Sequence, residues 1–289
     1  MWKDDYNKEL KQVSSFLGIP YAKSPIGFLR FKRPVLNSEW RGILPTNESK
    51  PICMHPDGGS EDCLYINIWR PDLKVDNPLP FMVWIPGGFV HTEAITEDIG
   101  TNFVAMTDFI LVTFSYRHGP FGFLYTGEEG APGNVGLLDQ QLALRWISQN
   151  IIHFSGDPIS ITIIGDGLGG ASANYHLIAP DSRELFTRAI MMSGAAVAPW
   201  IFYSQEEARA VATQLFNATT CSTGDSVACL RAMSAKDLQR ISEPDTFSTI
   251  TYRPFPFIPT IDDKFITQSP SEYLKTGQFK KTEIVIGTN

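Results

Sequence analysis

The segment Ile161-Thr162-Ile163-Ile164-Gly165-Asp166-Gly167-Leu168-Gly169-Gly170-Ala171 constrains the fold more than any other stretch of the chain. Its apolar, β-branched start reads as a strand buried on both faces. Glycines then crowd a turn, and a helical pattern follows at once. A strand that feeds a helix so abruptly belongs to a sheet with helices packed on it. Further strands are expected at Cys63–Trp69, Phe81–Ile85, Phe109–Tyr116, Ala189–Met192 and Glu283–Ile286, the last buried like the others. Apolar residues at 138, 142, 146 and 147 predict a helix over Leu137–Ile151, and Ala171–Ile178 reads as another. Asp76-Asn77-Pro78 and Gly156-Asp157-Pro158 are expected turns. Ser204 and Glu207 form a capping box for a helix to about Phe216. Ser234 caps a short helix through Ile241, and Ser269-Pro270 opens one that ends at Gly277. The alternation predicts an α/β fold, a mostly parallel twisted sheet with helices on both faces.

Charge and hydropathy exclude several functions. With 24 Lys and Arg against 31 Asp and Glu, the formal charge is −7, which argues against a nucleic-acid partner. The longest apolar stretch, near Phe81–Val90, is broken by Pro86, Gly87 and Gly88, so no membrane span is expected. The charged N-terminus has no apolar core of a signal peptide. The chain stops three residues after the apolar Glu283–Ile286, so a segment of a longer protein is expected.

Cys53 and Cys63 lie ten residues apart, Cys221 and Cys229 eight. Neither spacing suits a zinc or redox motif, and no metal or cofactor is expected. Each pair fits either a local disulfide, which implies an oxidising compartment, or two buried thiols. Asn47-Glu48-Ser49 and Asn217-Ala218-Thr219 are N-glycosylation acceptors. Together these features favour an extracellular or secretory location.

Two chemical devices share the strand–turn–helix pattern. Gly165, Gly167 and Gly170 satisfy the dinucleotide fingerprint, but the next strand ends in Ser193-Gly194 without the acid that holds a ribose. The alternative is a nucleophile elbow, G-x-Nuc-x-G, framed by Gly165 and Gly169. Its nucleophile position is then Gly167, which has nothing to attack with. Asp166 stands one residue early, Ser172 is one turn into the helix, and Ser193 is on the next strand.

Motifs along nearly the whole chain carry a resemblance. They include Phe16-Leu17-Gly18-Ile19-Pro20-Tyr21-Ala22, Leu29-Arg30-Phe31, Glu61-Asp62-Cys63-Leu64-Tyr65-Ile66-Asn67 and Ser115-Tyr116-Arg117. The most specific is Gly133-Asn134-Val135-Gly136-Leu137-Leu138-Asp139-Gln140, followed by Ala143-Leu144-Arg145-Trp146-Ile147. The chain resembles the type-B carboxylesterases and cholinesterases, the invertebrate carboxylesterases most. The resemblance implies the α/β-hydrolase fold, ancestral activity on carboxylic esters, and a domain of roughly twice this length. Residues 1–289 would then be a partial domain, with the family's acid and catalytic histidine beyond Asn289. It also implies a Cys221–Cys229 disulfide. The loop between Cys53 and Cys63 is shorter than the family's first disulfide loop and has no Trp, which argues against a choline site.

The departures bear on function. The family elbow reads Gly-Glu-Ser-Ala-Gly, and here Asp166, Gly167 and Leu168 fill its middle. The oxyanion positions become Gly88, Phe89 and Leu168, with Phe89 where the family has a glycine. Loss of a triad nucleophile lowers kcat on the order of 10⁶-fold. A protein without that nucleophile, one that binds a small hydrophobic ester or a protein partner, is therefore expected. The alternatives are an unorthodox ester hydrolase using Asp166 and an adhesion ectodomain like the neuroligins and neurotactin, of which the neuroligins resemble this chain in carrying Gly at the nucleophile position. The five histidines (55, 91, 118, 153 and 176) are expected to be structural or on the surface.

Overall fold

The computed structural model describes residues 11–73, 77–87, 97–243 and 255–288. Strands β1 (Val13–Pro20), β2 (Tyr65–Pro71), β3 (Leu79–Ile85), β4 (Ile110–Phe114), β7 (Gly156–Asp166), β8 (Arg188–Met192) and β9 (Glu283–Gly287) form one sheet. Their order is β1-β2-β4-β3-β7-β8-β9. The β1–β2 and β2–β4 pairs are antiparallel, and every later pair is parallel. A short hairpin, β5 (Tyr125–Glu128) with β6 (Ala131–Pro132), stands apart from it. Helices α1 (Glu97–Met106), α3 (Val135–Asn150) and α4 (Leu168–Ile178) connect the central strands, with the short α2 (Gly119–Phe123) between β4 and α3. Among the described residues four more follow β8: α5 (Gln205–Ala218), α6 (Ser226–Ala232), α7 (Ala235–Ile241) and α8 (Pro270–Lys275).

The two-residue period of a strand explains why both faces are covered. On one face Val83, Ile85, Val112 and Ile163 pack with Leu144 and Ile147 of α3 and Ala173 and Leu177 of α4. On the other, Trp69 and Leu111, with Met82 and Trp84, pack with Val104 of α1. The sheet is thus mostly parallel with helices on both sides, as its continuous apolar runs predict. Among the described residues no helix is long and apolar enough to cross a membrane.

Local expectations meet two corrections. Strand β9 is not buried: Ile284, Val285 and Ile286 are 48%, 61% and 68% exposed. It is the sheet's edge and pairs only with β8, so nothing described here covers its far side. Gly156-Asp157-Pro158 is not a turn but the first part of β7, where Leu79 pairs with Gly156 before the register shifts. The Ser204 capping box forms in full: Glu207 N–H donates to Ser204 Oγ at 3.2 Å, and Ser204 N–H to Glu207 Oε2 at 2.8 Å. Ser234 and Ser269 cap α7 and α8, and Gly277 takes the left-handed conformation (φ +68°) just past α8. Both cysteine pairs are disulfides, Cys53–Cys63 and Cys221–Cys229. The second ties the segment after α5 to α6. Of the proposed turns, Asp76 lies outside the described residues.

Candidate functional site

Strand connections leave β3 towards β4 on one side and leave β7 towards β8 on the other. Open α/β sheets hold their sites at such a switch point, at the carboxyl ends of the strands. There Ile85 of β3 pairs with Gly165 of β7, and the chain turns sharply into α4.

Contact between backbones sets this turn. A Cβ on Gly165 would lie 2.2 Å from the Gly169 carbonyl carbon, and one on Gly169 2.2 Å from the Ile85 carbonyl oxygen. A Cβ on Gly170 would meet the Met192 oxygen at 2.7 Å, and one on Gly194 the Gly167 oxygen at 1.8 Å. Side chains at these four positions would push α4 off strands β3, β7 and β8. Gly167 differs: among the described residues a Cβ there would meet nothing within 4 Å, yet its φ of 53° and ψ of −115° strain any L-residue. Its N–H lies 2.8 Å from both Met192 O and Asp166 Oδ1, and its carbonyl accepts from Ala171 N–H at 3.0 Å. The tip is therefore ordered and, among the described residues, uncovered.

Neighbouring hydroxyl, carboxylate and imidazole groups are engaged elsewhere or face away. The Asp166 carboxylate folds back on the turn's own N–H. Ser193 lies just past β8 in the left-handed region (φ 51°), exposed, its N–H donating to Gly287 O at 2.8 Å. Ser172 is buried under α4, where Gln140 Nε2 donates to its hydroxyl at 3.1 Å. Because that amide nitrogen is the donor, Gln140 Oε1 accepts from His176 Nε2 at 3.0 Å. His176 Nδ1 then accepts from Ser182 Oγ at 2.9 Å, and Ser182 Oγ accepts from Gln141 Nε2 at 2.9 Å. Every polar atom of the His176 ring is satisfied in the neutral form, and burial lowers its pKa to about 3. His118 is likewise lowered to about 3, by burial first and by His55 second. Neither histidine serves as a base at the turn. Gln140, Ser172 and His176 each stand out in the sequence, but nothing local there joins them into one cluster.

Leu168 opens α4, so its N–H is the first of the helix. Gly88 and Phe89, the other two expected oxyanion positions, lie outside the described residues, as does His91. Pro86 leads towards them, its carbonyl held by the Tyr116 hydroxyl at 2.8 Å. Two ion pairs brace the surroundings. Arg117 donates twice from its guanidinium and once from its backbone to Asp139, at 2.7, 2.7 and 3.1 Å. Arg30 grips Glu61 through two bonds, at 2.7 and 2.5 Å, and caps carbonyls around the end of α6.

A carboxylesterase-family profile matches residues 3–289. The chain belongs to the carboxylesterase family. It is 39% identical to an acetylcholinesterase of Bungarus fasciatus, over 95% of this chain and 49% of that protein. The chain thus spans about half the length of that curated relative. As a member of the carboxylesterase family it has the α/β-hydrolase sheet.

Proposed function

We propose that this chain is a carboxylesterase-family member that has lost its nucleophile and acts by binding a small hydrophobic ester or a protein partner. The observation that carries the reading is Gly167. It sits at the tip of an elbow-shaped turn, with no described residue crowding it and no group of its own that can form an acyl intermediate. The four glycines around it keep the backbone contacts that such a turn needs. Asp166 does not substitute, because its carboxylate bonds the turn instead of projecting from it. The exposed sequon residues Asn47 and Asn217, together with two disulfides, support glycosylation and an extracellular or secretory location.

Ester turnover tests this. The 289-residue chain is expected to hydrolyse p-nitrophenyl butyrate no faster than buffer. Gly167→Ser is expected not to be labelled covalently by an organophosphate, since the buried His176 and His118 cannot activate a serine there. Turnover that Asp166→Ala abolishes would favour the unorthodox hydrolase and sink the proposal.

A further inference from the structure

The loop between β1 and residue 36 is closed at its base and projects at its tip. At the base Ala22 bridges Leu36, and Lys23 N–H donates to Val35 O at 2.8 Å. At the tip the chain reverses through a single tight turn, Gly27–Leu29. Among the described residues a Cβ on Gly27, at φ +54°, would meet nothing within 4 Å, so the tip stands clear of them. It is nevertheless apolar: Ile26 is 53% exposed and Phe28 75%, and Val35 and Leu36 are exposed below them. A polar surface seldom groups exposed apolar side chains in this way unless something covers them.

Cations gather on the same loop. Residues 23–38 hold Lys23, Arg30, Lys32 and Arg33 and no Asp or Glu, in a chain of formal charge −7. Lys32 Nζ stands 3.1 Å from the centre of the Phe28 ring, and the guanidinium carbon of Arg231, on α6, stands 6.0 Å from it. Glu61 takes Arg30 and Glu129 takes Arg33. Among the described residues no carboxylate lies within ion-pair distance of Lys23, Lys32 or Arg231. Exposed Glu128 opposes them from the β5–β6 hairpin, whose Gly130 carbonyl accepts from Arg231 at 2.6 Å. An occupant of this surface must accept apolar side chains and bring negative charge.

We infer that the loop over residues 23–36 docks the protein on a bilayer that carries acidic phospholipids. Ile26 and Phe28 enter the boundary between headgroups and acyl chains, while Lys23, Lys32 and Arg231 stay among the headgroups. A projecting apolar tip enters a fluid bilayer without a matched pocket. A sulfated glycan would pair with the cations but gain nothing from Ile26 or Phe28.

Co-sedimentation of the 289-residue chain with phospholipid vesicles at pH 7 tests this. Saturable binding is expected to phosphatidylcholine vesicles containing about one-third phosphatidylserine. Pure phosphatidylcholine is expected to bind at least about tenfold more weakly, since it offers the three cations no net charge. The double variant Ile26→Ser/Phe28→Ser is expected to lose about tenfold or more on the acidic vesicles. Ile159→Ser, which removes an equally exposed apolar side chain from β7, is expected to bind as the parent does. No binding at millimolar acidic lipid, or equal binding to the two vesicles, would overturn the inference. Unchanged binding in a folded double variant would do the same, because the contact would then lie elsewhere, as at the exposed β9. Retention on heparin without vesicle binding would assign the cations to a glycan and sink the bilayer. The two-vesicle comparison needs no variant, so it decides the matter even if the double variant does not fold. Failure here leaves the reading of Gly167 untouched, because ester turnover does not depend on these residues.

Discussion

The turn after β7 and the polar cluster beneath α4 are built in opposite ways. In the turn, backbone meets backbone: Gly165, Gly169, Gly170 and Gly194 leave no room for a single Cβ. In the cluster, side chains do the holding: Gln140, Ser172, His176, Ser182 and Gln141 satisfy one another in a chain of bonds from 2.9 to 3.1 Å. Both are tightly specified, and both support α4. Gly167, set between them, is specified by neither crowding nor bonding of a side chain. In the proposed reading, the backbone frame of an elbow is kept while the side chain it would aim is absent.

The sharpest way to break this contrast is to add one methyl group to the turn. Gly169→Ala puts a Cβ 2.2 Å from the Ile85 oxygen, and backbone cannot swing aside as a flexible side chain does. A loss of at least about 3 kcal/mol is expected, at the upper end of overpacking effects. A chemical-denaturation midpoint close to the parent's would show that the strands and helix are less tightly coupled than the turn implies.

The cluster is tested through acid. His176 is lowered to about 3 by burial, whereas an unfolded histidine titrates near 6.5. Below pH 6.5 the unfolded chain therefore binds a proton that the folded chain refuses. The stability tied to the neutral ring is complete above pH 6.5 and declines as pH falls from 6.5 towards 3. The slope is about 1.4 kcal/mol per pH unit for one histidine, or about 2 kcal/mol by pH 5. His118, lowered to about 3 as well, adds a second such loss. His176→Gln, which can still donate and accept, should remove one of the two contributions. Denaturant titrations of both chains at pH 7, 6 and 5 measure this, and equal slopes would sink the assignment of His176 as a buried neutral group.

Much of this architecture was legible in the chain itself, and the gaps have physical causes. Strand β7 and its turn stand out because a two-side-buried strand must be apolar throughout and the turn must be glycine. The Ser204 box is legible because both of its bonds join residues three apart. Exposure of Ile284–Ile286 was not, since an edge strand and an inner strand share one local pattern and differ only in their neighbours. Strand β1 escaped notice because Gly18, at φ +74°, interrupts it where the pairing with β2 shifts between Phe16 and Ile19. The cluster was hidden because its members come from α3, α4 and the turn after it, with Gln140 and His176 separated by 36 residues. Gly194 shows the same limit: nothing local says that its missing Cβ faces the Gly167 oxygen across two strand ends.

Gly167→Ala is the finest cut, because it separates strain from crowding. Among the described residues a methyl group there meets nothing within 4 Å, so no overlap with them arises. What remains is the backbone, held at φ 53° and ψ −115° by the bond from Gly167 N–H to Met192 O and by the neighbouring glycines. An L-residue in so sparsely populated a region costs about 1–3 kcal/mol, less than the collision expected at Gly169. The variant should therefore fold, melt somewhat earlier than the parent, and leave α4 seated. Thermal unfolding of Gly167→Ala beside Gly169→Ala reads the difference directly. If the two variants lose equal stability, the tip is as crowded as its frame.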